Sequence, residues 1–198
     1  MNALLVVVGV LFVMNIGLIA AVLALARQVG VLFERISPMG ALTLSGGPRV
    51  GEAAPLLRLR TLAGDAVSVG APGVRSQMLF FLSPTCPVCK KLLPALRALD
   101  VAERGRLEVL LASDGEDAEH RAFWQREKLG LPYVLSAELG LAFQVSKLPY
   151  AVVVGPDGRV RAKGLVNSRE QIESLLVAEE LGVGSMQDYL SRSHAVVE

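Results

Sequence analysis

Cysteine and histidine are scarce in this chain of 198 residues, with two of each. Zinc needs four ligands, and His120 and His194 lie far apart without ligand spacing, so no metal site is expected. Charge of one sign is scarce too. The chain carries 20 Lys plus Arg against 19 Asp plus Glu, a net charge of +1. No basic stripe interleaved with aromatics occurs, which argues against a nucleic-acid partner. There is no internal repeat and no low-complexity segment.

Charge is missing altogether from Ala3 to Ala26, where Asn15 is the one clearly polar side chain. A spanning helix needs roughly 20 apolar residues at about 1.5 Å rise each, so this run suffices with some tilt. A buried core helix rarely runs so long without a charge. A cleaved signal peptide is the stronger alternative, with Ala24-Leu25-Ala26 as a small-x-small site. Against it, no Lys or Arg precedes the run, and the apolar stretch exceeds a normal signal core. An uncleaved transmembrane anchor over residues 1–27 is therefore expected. Arg27, Arg35 and Arg49 follow it, and by charge alone they would hold the rest of the chain in the cytoplasm.

Residues 28–49 form a juxtamembrane segment and linker, ending in the turn-rich Ser45-Gly46-Gly47-Pro48. A domain over 50–180 and a tail over 181–198 follow. Leu57-Arg58-Leu59-Arg60 and Val67-Ser68-Val69 alternate around Gly64-Asp65 and predict a hairpin. Gln77 to Leu82 is short and apolar throughout, as in a buried central strand. A helix is expected from Cys86 to Ala102, with Leu92, Leu93, Leu96 and Leu99 at helical spacing. A strand over Leu107–Ala112, a helix over Glu116–Lys128 and a strand over Tyr133–Ser136 come next. A short helix through Phe143 precedes strands at Ala151–Val154 and Val160–Ala162, joined by Pro156-Asp157-Gly158. Ser168 and Gln171 resemble a capping box that opens a helix to Ala178. This order predicts an α/β fold: a mixed central sheet flanked by helices on both faces, with the thioredoxin-like fold as its simplest form. His120 and Arg121 are expected at the surface, Trp124 in the core, and His194 in solvent. Leu181, Val183, Met186 and Leu190 could dock on the domain or on a partner.

Both cysteines fall in Thr85-Cys86-Pro87-Val88-Cys89. Two residues between them on a first helical turn let the sulfurs bond with little strain. Unpaired amides and the helix dipole favour an anion at Cys86. Pro87 fits a turn that needs no amide donor. These features predict Cys86 as the attacking nucleophile and Cys89 as the resolving thiol of a redox-active disulfide, with no other cofactor. A purely structural disulfide would close too small a loop to gain much. Pro149, after Leu148 and before an apolar strand, could be a cis proline that offers backbone groups to an extended substrate, or an ordinary strand-entry proline.

Cys86-Pro87-Val88-Cys89 after a buried strand, Pro94 in the following helix and Leu148-Pro149 before a later strand together resemble the thioredoxin superfamily. The chain departs from thioredoxin at two places. Phe80 stands where thioredoxin has a buried acid, and Thr85 where it has a tryptophan, so a proton route to Cys89 is not supplied by the motif. Ser83-Pro84-Thr85-Cys86 also resembles the peroxiredoxin loop, in which a hydroxyl three residues before the cysteine holds peroxide. The proline expected earlier in that motif is Leu79.

Longer blocks are similar to the MauD family of methylamine-utilization proteins. They are Phe33-Glu34-Arg35-Ile36-Ser37-Pro38, residues 80–96, 111–116, His120-Arg121-Ala122-Phe123, 131–153 and 161–170. That resemblance implies an inner-membrane, single-pass protein with its catalytic domain in the periplasm, against the charge rule above. It implies an accessory thiol–disulfide oxidoreductase or isomerase acting in processing, transport or maturation of the methylamine dehydrogenase small (beta) subunit. A second protein would recharge the cysteine pair. A peroxidase, or an anchored chaperone without redox turnover, are the alternatives.

Overall fold

The computed structural model describes residues 46–182 and, towards the N-terminus, residues 7–9, 11, 12, 14–23 and 27. The chain divides into two compact units, Met1–Gly40 and Ala41–Glu198. In the first, the described residues are helical and exposed, with Phe12, Leu18 and Leu23 each more than 60% accessible. Among the described residues no helix is long and apolar enough to cross a membrane. The expected anchor falls partly outside them. So do most of the juxtamembrane segment and, from Val183 to His194 and beyond, the tail.

The second unit opens with a hairpin, β1 (Leu57–Arg60) and β2 (Ala66–Val69), antiparallel with Leu57 opposite Val69. It stands as a two-stranded sheet of its own. The main sheet follows: β3 (Ser76–Phe81), helix α1 (Pro87–Ala102), β4 (Leu107–Ser113), α2 (Asp117–Arg126), β5 (Tyr133–Leu135), α3 (Ala137–Ala142), β6 (Tyr150–Val154), β7 (Val160–Leu165) and α4 (Arg169–Glu180). The strand order is β5-β4-β3-β6-β7. The first three are parallel, β6 runs antiparallel to them, and β7, antiparallel to β6, points the same way as β3.

Side chains alternate across each strand, so the sheet feeds two cores. Met78, Phe80, Val109, Leu111, Ala151 and Val153 meet Leu92, Leu93 and Leu96 of α1, Phe123 of α2 and Ile172 and Leu176 of α4. Leu79, Phe81, Leu110, Ala112, Val152 and Val154 meet Leu139 of α3 and the apolar side of the hairpin. Layers on both faces explain why β3 and β6 are apolar at nearly every position.

Several expected boundaries move. Helix α2 ends at Arg126 because Glu127 caps it and Lys128 takes the left-handed region, φ 48°. Ser136 is no strand residue: its hydroxyl accepts from the Leu139 amide at 3.1 Å and starts α3. Strand β7 runs on to Leu165, paired with Tyr150. The junction of linker and domain is also more built than its composition implied. Gly51 donates to the Val160 carbonyl, and Ala54 to that of Gly158. The Lys163 ammonium donates to the Gly46 carbonyl at 2.9 Å. Gly158, at φ 73°, is required there, since a Cβ would lie 2.6 Å from the Gly70 carbonyl oxygen.

Candidate active site

Strand β3 delivers the chain to Ser83-Pro84-Thr85, and α1 begins immediately after. Cys86 is the residue at the N-cap, with extended backbone at φ −78° and ψ 114°, and Pro87 opens the first turn. The Cys86 Sγ takes the capping role of a serine hydroxyl: it accepts the Cys89 amide at 3.3 Å. A sulfur in that place sits at the positive end of the helix, where an anion is favoured. Both thiols are free.

The two differ in access. Cys86 is half-buried, while Cys89 is fully buried in the core that also holds Leu92, Leu93 and Phe80. Burial pushes the Cys89 thiol up from its ordinary 9.0 to about 12, and its interaction with Cys86 adds to this. The amides of Ser83 and Cys89 pull weakly the other way. The loop before Cys86 is tied locally. Ser83 and Thr85 hydroxyls lie 2.9 Å apart, and the Cys86 amide donates to the Ser83 carbonyl at 3.1 Å. Thr85 and Pro87 are exposed, and Val88 is half-buried against the core.

Leu148–Pro149 is a cis peptide. Phe81, the last residue of β3, pairs with Tyr150, the first of β6. The cis peptide and the loop leading to Cys86 therefore leave the same end of the sheet. Pro149 is buried and its carbonyl accepts the Val166 amide, while Leu148 is 40% exposed. Among the described residues no group of three or more His, Cys, Asp or Glu gathers for a metal.

One expectation is overturned. His120 is not a surface residue but 2% exposed. It shares the inward face of α2 with Phe123, three positions on. Its Nδ1 lies 2.6 Å from the Tyr133 hydroxyl. That hydroxyl donates to Ser113 Oγ at 2.9 Å, and Ser113 donates to the Leu82 carbonyl, just before the cysteine loop. The spacing of His120 from Phe123 was the available signal for its burial. Nothing local marked Tyr133 or Ser113. Arg121 is exposed as expected, although it reaches the Leu62 carbonyl at 3.0 Å.

Fold and site together define a thioredoxin-like protein with a Cys-x-x-Cys pair at a helix N-terminus. Residues 50–163 match the model of the AhpC/TSA family. The methylamine utilization protein MauD of Methylorubrum extorquens is 47% identical over 91% of this chain and 89% of its own. That of Paracoccus versutus is 44% identical over 91% of each chain. The chain belongs to the AhpC/TSA family and, with these relatives, to the MauD proteins. A solved structure of a thiol:disulfide interchange protein DsbE from Chlorobium tepidum, described as putative, shares the fold. It has a TM-score of 0.61 and 15% identity, covering 67% of this chain and 99% of that one.

Proposed function

We propose that this chain is a membrane-anchored thiol–disulfide oxidoreductase serving methylamine utilization. Its substrate is the small (beta) subunit of methylamine dehydrogenase during processing or maturation. The observation that carries the chemistry is the asymmetric cysteine pair: a half-buried Cys86 at a helix N-cap, whose Sγ accepts the backbone amide of the fully buried Cys89 three residues on. The relatives' name, methylamine utilization protein, supports the pathway.

In the reducing direction, the Cys86 thiolate attacks one sulfur of a substrate disulfide. A mixed disulfide forms and the first substrate thiolate leaves. Cys89, once deprotonated, attacks the Cys86 sulfur. The second substrate thiolate leaves, and two electrons have passed from the pair to the substrate. Run backwards, the same steps oxidise a substrate dithiol. The protein that recharges the pair sets the direction. Leu148 and Pro149 border the site from the β6 side and offer a short extended segment to a substrate strand. Thr85, Pro87 and Val88 shape the loop and first turn around Cys86. The apolar run Ala3–Ala26 serves as a single inner-membrane anchor, with the catalytic domain in the periplasm, the compartment where disulfides persist.

Trapping tests this reading. A Cys89→Ser variant should hold its substrate on Cys86, and mass spectrometry of the adduct should find the dehydrogenase small subunit. Recovery of unrelated proteins alone would refute the substrate assignment. The AhpC/TSA match and the hydroxyl pair beside Cys86 favour one second reading, peroxide reduction. Rapid peroxide consumption by the same variant would support it. Labelling of Cys86 in intact cells by a membrane-impermeant thiol reagent tests the periplasmic placement.

A further inference from the structure

The backbone ladder between β3 and β4 ends where the cysteine loop begins. Its last bond runs from the Leu82 amide to the Ala112 carbonyl. The parallel pattern calls for one more, an amide from the chain after β4 donating to the Leu82 carbonyl. Among the described residues no amide fills that place. The Ser113 hydroxyl fills it instead, from the end of β4. Leu82 is 1% exposed, so without that hydroxyl its carbonyl would lose water and gain no donor.

A serine hydroxyl turns freely unless something fixes it. Tyr133 donates to Ser113 Oγ at 2.9 Å, which leaves the Ser113 proton for Leu82. With its own proton committed to Ser113, the Tyr133 oxygen accepts from His120 Nδ1, 2.6 Å away. The donors therefore run in one direction, from His120 to Tyr133 to Ser113 to the Leu82 carbonyl. His120, Tyr133 and Ser113 are 2%, 1% and 7% exposed and come from α2, β5 and β4. A buried polar trio of this kind costs stability unless every bond is made, and packing alone does not call for it. Past Leu82 the ties continue to the cysteines. The Thr85 amide donates to Ser83 Oγ at 3.3 Å, the Cys86 amide to the Ser83 carbonyl at 3.1 Å, and the Cys89 amide to Cys86 Sγ at 3.3 Å. Because the peptide is planar, a restraint on the Leu82 carbonyl also orients Ser83.

We propose that Ser113 is a positioning residue for the redox pair: oriented by Tyr133 and His120, its hydroxyl holds the Leu82 carbonyl, and with it the loop that presents the Cys86 sulfur to Cys89. This goes beyond the redox reading above and rests on it. Ser113 acts through the backbone and takes no part in the exchange itself. Closing the disulfide needs the two sulfurs in register with the leaving sulfur, and a displacement near 1 Å can cost about a hundredfold. A Leu82 carbonyl released from Ser113 would turn towards another donor and carry Ser83 with it. Attack of Cys86 on a free reagent needs no such register, because the reagent adjusts to the sulfur. The intramolecular step should therefore suffer and the intermolecular step should not.

The test uses the reduced full chain and the aromatic disulfide 5,5′-dithiobis(2-nitrobenzoate), followed by stopped-flow absorbance. A first phase, proportional to reagent, reports attack by Cys86 and release of one thionitrobenzoate. A second phase, independent of reagent, reports attack by Cys89 on the mixed disulfide and release of the other. Ser113→Val and Ser113→Thr have one shape and differ in the hydroxyl. Ser113→Val should slow the second phase about tenfold or more and leave the first within about twofold of wild type. Ser113→Thr should bring the second phase back to within about threefold of wild type. Equal second phases in the Val and Thr variants, or a Val variant in which both phases slow alike, would overturn the proposal. Tyr133→Phe keeps the ring and drops the donor to Ser113. It should slow the second phase at least about threefold, and it decides alone if the Val variant does not fold. An unchanged second phase in it would overturn the proposal. Absence of any second phase in the wild type would instead defeat the dithiol reading beneath it. The nitrogen resonances of the neutral His120 ring give a measurement without substitution. They should place the proton on Nδ1, whereas a proton on Nε2 would reverse the Tyr133 bond and overturn the direction of the chain.

Discussion

Burial of Cys89 makes a quantitative forecast for its reactivity. Its thiol is pushed from an ordinary 9.0 up to about 12, so near pH 8 the thiolate fraction falls about a thousandfold relative to an unburied thiol. A more basic thiolate is a better nucleophile, and a Brønsted slope of about 0.4–0.5 returns roughly twentyfold of that loss. The net is about fiftyfold slower alkylation, before the full burial of the sulfur slows access further. Limiting iodoacetamide should therefore place its first adduct on Cys86, as peptide mapping would show. In the Cys86→Ser variant the part of the shift owed to Cys86 is gone but burial remains, so Cys89 should still react clearly more slowly when folded than when unfolded in urea. Rates within threefold of each other would refute the reasoning, because they would mean the resolving thiol is neither buried nor suppressed.

The same physics makes the fold sensitive to alkali. Cys89, Tyr133 and Tyr150 are each raised to about 12 by burial, from ordinary values of 9.0 and 10.0. Below about pH 8 these groups are essentially protonated in both states and contribute little pH dependence. Above it the unfolded chain loses protons that the folded chain retains. Stability should fall from pH 9 towards 12, by up to about 1.4 kcal/mol per pH unit for each group; urea titrations between pH 8 and 11 would check the sign. Phe80 is fully buried on the central strand, and Phe80→Ala should cost about 3–5 kcal/mol in chemical denaturation. Ser168→Ala removes the hydroxyl that accepts the Gln171 amide at 3.4 Å at the start of α4, a loss of about 1 kcal/mol by the same measurement.

The parts of the fold that were legible in the sequence were those where one local pattern sufficed. Gln77–Leu82 read as a buried strand because both faces of β3 are covered, which leaves no polar alternation. Ser168 and Gln171 announced α4. The Gln171 side chain does reach back, though to the Asn167 amide at 2.6 Å, one residue before the cap. Cys86 and Cys89 were recognisable because their spacing, and a proline between them, imply a helix start. What was hidden depended on contacts distant in sequence. The hairpin was visible, but not its separation from the main sheet. Gly46 in the linker and Gly51 to Ala54 at the start of the domain carry no local signal of their pairing with residues 158–163. His120 was misplaced because a polar side chain on a helix defaults to solvent. Only Tyr133, 13 residues on and brought close by β5, makes its burial tolerable.

The central claim is that residues 86 and 89 form a reversible two-electron couple. Equilibration of the full chain against mixtures of reduced and oxidised glutathione, quenched with acid and read by intact mass, tests it directly. The account predicts one smooth transition between the dithiol and a species lighter by two hydrogens, with the new bond mapped between Cys86 and Cys89 and fully reversed by excess thiol. A chain that gives only glutathione adducts, or no intramolecular bond at any ratio, would contradict it.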